Sequence, residues 1–297
     1  MSPFETYIAL VKGYSVLSLL LIPKAFINGG WGISTIFLMT SGCLSLLASL
    51  KLAAVGLSLD LYSYPLSIER VLGKKSRIIL EAMIALTQFS FAISHITFLI
   101  ESCKSTVDSL WSMDSPVPIY MIIVIVIYSL LSWVRNLAKF SFTFMIGNIL
   151  IIITAIYVTV VASKLIMVQG GPGPDMAFLE PSGALNTLGF TIYAYEGIGI
   201  VMPVMATCEK PERFKAMLTY AFVTLMAMYA GFALICYFAW GSNMDQAIIT
   251  QMLPADSVTV VIIKFLYSMN LVCSFPIIIC PANAAIEEWF CKCLKND

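Results

Sequence analysis

The sequence predicts an all-α integral membrane protein that crosses a bilayer about eight times. Two observations support this prediction. Of the 297 residues, 60% are hydrophobic and only 11% are charged, whereas about a quarter of the residues in a soluble domain carry charge. Apolar segments of about 20 residues, the length of a membrane-spanning helix, also recur between short charged loops. A water-soluble fold is therefore excluded, and the lipid bilayer is the predicted environment of the chain.

The first three predicted spans cover residues 8–27, 32–58 and 78–103. The turn Asn28-Gly29-Gly30-Trp31 separates the first two, because adjacent glycines favour turns over helix. The connection from Asp60 to Arg77 is longer, charged and amphipathic, so it separates the second span from the third.

The remaining spans are uniformly apolar and are separated by Pro, Gly or charged residues. Their residues show no alternation of polar and apolar side chains, which excludes the strands of a transmembrane barrel. All eight spans form one predicted transmembrane domain over residues 1–297. The last five predicted spans lie near 117–134, 141–168, 186–206, 216–240 and 257–283.

The distribution of cations predicts the orientation, since Lys and Arg are retained on the cytosol- or matrix-equivalent side of a membrane. One set of loops contains nearly all of them, and the opposite set contains only Lys104 and Lys164. Both termini are therefore predicted on the positive side, as an even number of spans requires. The cations of the positive set are Arg70, Lys74, Lys75, Arg77, Arg135, Lys139, Lys210, Arg213, Lys215, Lys292 and Lys295.

Glu196 is the polar residue of greatest interest within a span. It lies close to Gly197, Gly199 and Pro203 in an otherwise apolar segment, and such a cluster weakens a helix. A broken helix near the middle of a transporter exposes backbone groups to substrate and ions. The alternative is a kink packed on a neighbouring helix, with Glu196 hydrogen-bonded to that neighbour.

Four polar residues follow one stripe of the third span. Glu81, Gln88, His95 and Glu101 are spaced by seven, seven and six residues, which keeps them on one side of a helix. Glu81 and His95 are thus candidates for a proton relay. Alternatively, the histidine packs with its own hydrogen bond while the carboxylates reach the headgroups.

Other site chemistry is not predicted. Lys51 and Lys264 lie within spans, where each either extends to the headgroups or pairs with an acid. Cys291 and Cys293 lack the spacing of a zinc site. There is no nucleophile–base pair and no phosphate loop, so no enzyme, catalytic residue, metal or cofactor is predicted. A net charge of zero gives no reason to expect nucleic acid as a partner.

Five segments of the sequence carry a family pattern, and they are residues 193–203, 209–214, 236–241, 252–254 and 266–281. Together they resemble the amino acid/auxin permeases, a family of proton- or sodium-coupled amino-acid transporters. The resemblance implies a fold of two inverted five-helix repeats, of which this chain contains helices 1–8. It also implies substrate binding where helices 1 and 6 unwind, with small neutral amino acids as substrates and H⁺ or Na⁺ as the coupling ion. The implied substrate-binding residues are Ser18, Tyr193, Glu196, Gly197 and Gly199.

Two departures from the family pattern affect the expected function. Where the family has Gly-Ser/Thr-Gly in its first helix, this chain has Val16, Leu17 and Ser18 when aligned on Lys12 and Pro23. Val and Leu favour a continuous helix, because glycine is the residue that adopts irregular backbone angles without penalty. The family also has about eleven spans, whereas eight are predicted here.

These departures favour a transport-impaired accessory subunit that packs with other membrane subunits in a larger complex. The alternative is a proton- or sodium-coupled amino-acid transporter, which the preserved sixth span favours. The mitochondrial inner membrane and an endomembrane are both compatible with the sequence.

Overall fold

Helices account for nearly all the regular structure in this computed structural model, which describes residues 1–15, 18–111, 114–133, 141–244, 249–253 and 257–295. Long apolar stretches form helices because a helix satisfies every backbone polar group within one segment, which lipid cannot do. The helices within the described residues are α1 Pro3–Ser15, α2 Ser18–Gly29, α3 Trp31–Leu59, α4 Tyr64–Leu72, α5 Lys74–Trp111, α6 Val117–Ser132, α7 Ser141–Gln169, α8 Ala184–Ala194, α9 Ile198–Ala206, α10 Phe214–Trp240 and α11 Val258–Lys295.

The number of clear spans is lower than predicted. Within the described residues, six helical segments are long and apolar enough to cross a membrane, and the pair α1 and α2 makes a seventh if its two helices form one bent span. The predicted fourth span corresponds to α6, which has 16 residues and is therefore about 24 Å long. That is shorter than the hydrocarbon layer of about 30 Å. The predicted end of this span, Val134, lies outside the described residues.

The connection between the second and third spans contains α4, a short helix with one apolar face, so the predicted amphipathic character is confirmed. The eighth predicted span ends near residue 283, whereas α11 continues to Lys295. Its last turns contain charged residues, which are compatible with helix but not with burial in lipid.

The chain divides into two compact units. Unit 1 comprises residues 1–70 and 155–253, and unit 2 comprises residues 71–154 and 254–297. In unit 1, α10 packs against α1, α2 and α3, and α3 also packs against α8 and α9. In unit 2, α5 and α11 pack against each other and both contact α6. Spans 1, 2, 6 and 7 therefore belong to unit 1.

A loop segment of residues 173–180, called the strap below, packs against the start of α3 in unit 1. The Trp31 N–H donates to the Ala177 carbonyl at 3.0 Å, and the Glu180 N–H donates to the Gly29 carbonyl at 2.9 Å. The first bond satisfies an amide group at the start of α3, and the second satisfies the carbonyl of the last residue of α2, and neither group has a partner within its own helix.

The same strap contacts the end of α10. The Gly173 N–H donates to the Phe238 carbonyl at 2.8 Å, and the Ala177 N–H donates to the Tyr237 hydroxyl at 3.1 Å. The strap therefore ties the adjacent ends of two helices that are distant in sequence.

Candidate functional site

Span 6 is interrupted at residues 195–197, between α8 and α9. The N–H groups of Tyr195 and Glu196 donate to the carbonyls of Ile192 and Tyr193, each at 3.2 Å, so α8 closes with tight turns. The break lies where the sequence predicts it, at the cluster of Glu196, Gly197 and Gly199. It leaves the first amides of α9 outside the regular helical hydrogen bonds.

Helix α3 supports this break. The Ser45 hydroxyl donates to the Tyr195 carbonyl at 3.0 Å, and the Ser41 and Thr191 hydroxyls are 3.2 Å apart. A Cβ added to Gly42 would lie 3.0 Å from Cζ of the Tyr195 ring. The small residues of α3 therefore let the interrupted backbone approach closely and supply it with a hydrogen bond.

Span 1 also changes direction. Helix α1 ends at Ser15, α2 begins at Ser18, and their axes differ by 47°. The Tyr229 hydroxyl of α10 donates to the Tyr14 carbonyl at 2.7 Å. Helix α10 also packs against both α1 and α2, so it supports both halves of span 1.

The prediction of a continuous first helix falls on Val16 and Leu17, which lie outside the described residues. The helices on either side do not follow one straight axis. Pro23 lies inside α2 rather than at the bend. The prediction of a continuous helix through these residues therefore stays a prediction, and the described finding is that the axes of α1 and α2 differ by 47°.

Tyr14 links the two interrupted spans. A Cβ on Gly197 would lie 2.7 Å from Cδ1 and Cε1 of the Tyr14 ring, so the ring packs directly on the backbone of the span 6 break. The same ring meets Phe222 edge-on at 4.8 Å, and its hydroxyl is 3.1 Å from the Ser49 hydroxyl. The close approach of the ring requires a glycine at position 197. The backbone conformation does not require one, because a φ of 165° is open to any residue.

Glu196 lies in the break with its side chain half-buried. Among the described residues, its carboxylate has no hydrogen-bond or ion-pair partner. The charge acts on its surroundings, since burial and the negative charge of Glu196 raise the pKa of Tyr64 in α4. The predicted alternative, in which a neighbouring helix hydrogen-bonds Glu196, is not seen in this part of the chain.

The other predicted substrate-binding residues are distributed around the two breaks. Ser18 is buried at the start of α2, and Tyr193 is partly exposed in the last turn of α8. A Cβ added to Gly199 would meet no atom within 4 Å, so there is open space beside the first turn of α9. All five predicted residues therefore belong to unit 1.

The two relay candidates lie in unit 2 and are both buried on α5. Glu81 is 3% exposed and its Oε1 accepts from Nε of Arg77 at 2.6 Å. His95 is 1% exposed, and its Nδ1 is 3.0 Å from the Phe91 carbonyl. The 14 residues between them correspond to about 21 Å of helix. Glu101, on the same predicted stripe, is exposed.

The sequence analysis missed Tyr14, Tyr229 and Ser49. An isolated tyrosine or serine in an apolar segment indicates nothing beyond core packing, and these contacts join residues far apart in the chain. Within the described ranges, no group of three or more His, Cys, Asp or Glu side chains is placed to hold a metal ion.

The arrangement of unit 1 suits a zwitterion. The start of α9 presents amide N–H groups and the positive end of a helix dipole, which favour a carboxylate. The Glu196 carboxylate, two residues earlier in the chain, favours an ammonium group. These are the two charged groups of an amino acid.

Comparison with known proteins agrees with this chemistry. The family described as "Transmembrane amino acid transporter protein" matches residues 1–296. "Vacuolar amino acid transporter 3" of Saccharomyces cerevisiae is 25% identical over 292 residues, which cover 97% of this chain and 42% of that protein. The protein of the same name in Schizosaccharomyces pombe is 26% identical, covering 96% of this chain and 43% of its own length.

"Amino acid transporter AVT3A" of Arabidopsis thaliana is 25% identical over 299 residues, which cover 97% of this chain and 68% of that protein. The chain thus spans less than half the length of the yeast relatives. These relatives are named as transporters, which gives no support to the predicted accessory subunit.

Proposed function

Because the chain belongs to the transmembrane amino acid transporter family, we propose that it binds an amino acid at the break in span 6 and takes part in moving it across a membrane. The prediction that the chain is not an enzyme is confirmed by the same family membership. The observation that carries the proposal is the break in span 6, where the Tyr14 ring of span 1 packs on Gly197.

The proposed binding mode follows from the charges at the break. The substrate carboxylate accepts hydrogen bonds from amides at the start of α9, next to Gly197 and Gly199. The substrate ammonium pairs with Glu196, and Ser18 and Tyr193 supply polar contacts at the ends of the flanking helices. Small neutral amino acids are the proposed substrates because this mode uses only the charges that every amino acid has.

The membrane is proposed to be an endomembrane. Two fungal relatives are named as vacuolar transporters, and none of the comparisons favours the mitochondrial inner membrane. The coupling ion is H⁺ or Na⁺, and Glu81 and His95 stay candidates for proton transfer.

The accessory-subunit function that the sequence favoured rested on two departures, the replacement of the family glycines at residues 16–18 and the count of eight spans against about eleven. The relatives are named as transporters, which favours the transport alternative instead. Association with other membrane subunits stays compatible with the transport proposal.

Uptake by the purified chain in proteoliposomes tests the proposal. We expect saturable uptake of labelled neutral amino acids, with Glu196→Gln lowering kcat/KM about tenfold or more through the loss of one charge pair, equivalent to about 1.4 kcal/mol. Glu212→Gln is the matched control, because Glu212 is an exposed carboxylate outside the break. Uptake no greater than in empty liposomes contradicts the proposal. Full activity of Glu196→Gln contradicts the role of that residue.

A further inference from the structure

Lys264 is a buried cation in the part of α11 that crosses the membrane. It is 3% exposed, and its Nζ donates to the Ser105 hydroxyl of α5 at 2.8 Å. Lys264 lies six residues after the start of α11, about 9 Å along the helix. Its side chain points into unit 2, so it does not reach the headgroups as one sequence-based alternative proposed.

The second sequence-based alternative, pairing with an acid, is not seen either. Among the described residues, Lys264 forms no ion pair with a carboxylate, and its hydrogen bond is to the neutral hydroxyl of Ser105. A hydroxyl accepts a hydrogen bond but does not neutralise a charge. Within the described ranges, no opposite charge therefore offsets the cost of this buried charge in a membrane, which is at least about 2.5 kcal/mol.

The titratable groups on the helices around Lys264 have other partners or lie on other surfaces. Helices α5 and α6 pack against α11, and the part of α7 in unit 2, residues 141–154, contains no titratable side chain. On α5, Lys104 pairs with Asp108 and Asp114, Cys103 is a partly exposed free thiol, and Glu101 is exposed. On α6, Tyr120 bonds to Ser115 and Tyr128 stacks on Phe275, while Tyr267 of α11 packs on Phe98.

The pairing of an amine with a hydroxyl suits a group that gains and loses a proton. A lysine ammonium has three donors and no acceptor, whereas the neutral amine has a lone pair that accepts. The Ser105 hydroxyl accepts from the first form and donates to the second, so the contact persists in both. A carboxylate partner would hold only the charged form. Burial adds to this effect, because it disfavours the charged form of a lysine and brings its two protonation states closer in free energy.

We propose that Nζ of Lys264 is a proton-binding site that couples proton movement to transport. The proton adds to the amine lone pair from water on one side of the membrane and is released to water on the other. Each cycle changes the charge at the interface of α5 and α11 by one. This inference rests on the proposed transport function and assigns its coupling ion as H⁺.

Two transport assays on the same proteoliposomes test the proposal with Lys264→Arg and Lys264→Gln. Counterflow exchange of a labelled amino acid at equal pH needs no net proton movement, and we expect both variants to retain it within about twofold. Accumulation driven by a pH gradient is expected to fall at least about tenfold in both variants. Lys51→Arg and Lys51→Gln are the matched controls, since Lys51 is an exposed lysine of α3, and they are expected to retain both activities.

The two variants separate a proton site from a structural charge. If the charge of Lys264 only stabilises the fold, the Lys264→Arg variant should keep normal gradient-driven accumulation. If only the volume of the side chain matters, the Lys264→Gln variant should keep it. Either result overturns the inference. Absence of counterflow in the unaltered chain overturns the proposed function itself, whereas counterflow with normal accumulation in the Lys264 variants overturns the inference alone.

A milder variant decides the question if the lysine variants do not fold. Ser105→Ala removes the hydrogen bond from both forms of Lys264, but this bond is stronger in the protonated form because its donor is charged. The pH of half-maximal gradient-driven uptake should therefore move about one unit lower. Ser105→Thr keeps the hydroxyl and should keep the original pH dependence. An unchanged pH dependence in Ser105→Ala overturns the proposal.

Discussion

At the scale of single residues, the interrupted spans depend on close contacts rather than on local sequence alone. The Tyr14 ring occupies the space beside Gly197, where a side chain would otherwise lie. The Tyr229 hydroxyl, 215 residues away from Tyr14 in the chain, satisfies the Tyr14 carbonyl. A free carbonyl inside a membrane would be costly, so this bond stabilises the bend of span 1.

Replacement of Gly197 by alanine tests the contact with Tyr14. The new Cβ would lie 2.7 Å from two ring carbons, and the ring is buried against Phe222. We expect Gly197→Ala to lower the free energy of unfolding by about 1–3 kcal/mol, as overpacked cores do. Titration with a denaturing detergent in mixed micelles measures this change.

Gly231→Ala is the control, because Gly231 lies in α10 and a Cβ there would meet no atom within 4 Å. This change should be neutral or stabilising by up to about 1 kcal/mol. Equal effects of the two variants would show that the Tyr14 ring does not restrict Gly197.

At the scale of elements, the strap shows how an irregular segment positions helix ends. Strap residues 173–180 pair with the backbone at the start of α3 and bond to the end of α10. Phe178 meets Trp31 edge-on at 4.8 Å. Because the strap leads towards α8, it also determines where span 6 begins.

Gly30 and Gly170 allow the contribution of the strap to be measured. Both have positive φ, +80° and +71°, but a Cβ on Gly30 would lie 2.7 Å from the Ala177 carbonyl oxygen while one on Gly170 would meet nothing within 4 Å. Each alanine variant should lose about 1–2 kcal/mol for its left-handed backbone. Gly30→Ala should lose at least about 1 kcal/mol more.

Detergent-induced unfolding compares the two variants, and limited proteolysis shows whether the strap is released. We expect faster cleavage within residues 173–180 in Gly30→Ala than in Gly170→Ala. Equal stability and equal cleavage would mean that the strap does not stabilise the helix ends.

At the scale of the whole molecule, the cation distribution predicts the orientation of the chain. The connection that contains Gly73 belongs to the cation-rich set of loops, and the connection that contains Gly171 belongs to the cation-poor set. A Cβ on either glycine would meet nothing within 4 Å, so both positions tolerate an inserted protease site.

Protease sites inserted after Gly73 and Gly171 test this orientation in sealed vesicles. Protease added outside should cut one variant and leave the other intact, and detergent should make both susceptible. The positive-inside rule places the Gly73 site on the cytosol-equivalent side. Cleavage of both variants in intact vesicles would contradict the predicted topology.

The sequence by itself determined the membrane class, the approximate spans and the break at Glu196. These properties depend on composition and on local helix propensity, and both are set by residues that lie within a few helical turns of one another. The sequence overestimated the number of clear spans, because α6 is only 16 residues long. The continuous first helix predicted from Val16 and Leu17 stays a prediction, because both residues lie outside the described ranges.

Only the tertiary structure decided which polar groups meet. Tyr14 packs on Gly197, Tyr229 bonds to Tyr14, and Lys264 bonds to Ser105, and in each case the partners are more than 150 residues apart in sequence. From the sequence, Lys264 has two equally reasonable positions, at the headgroups or beside an acid. The packing of α5 on α11 places it beside a hydroxyl instead, because burial against a neighbouring helix depends on how whole helices pack and not on residue type.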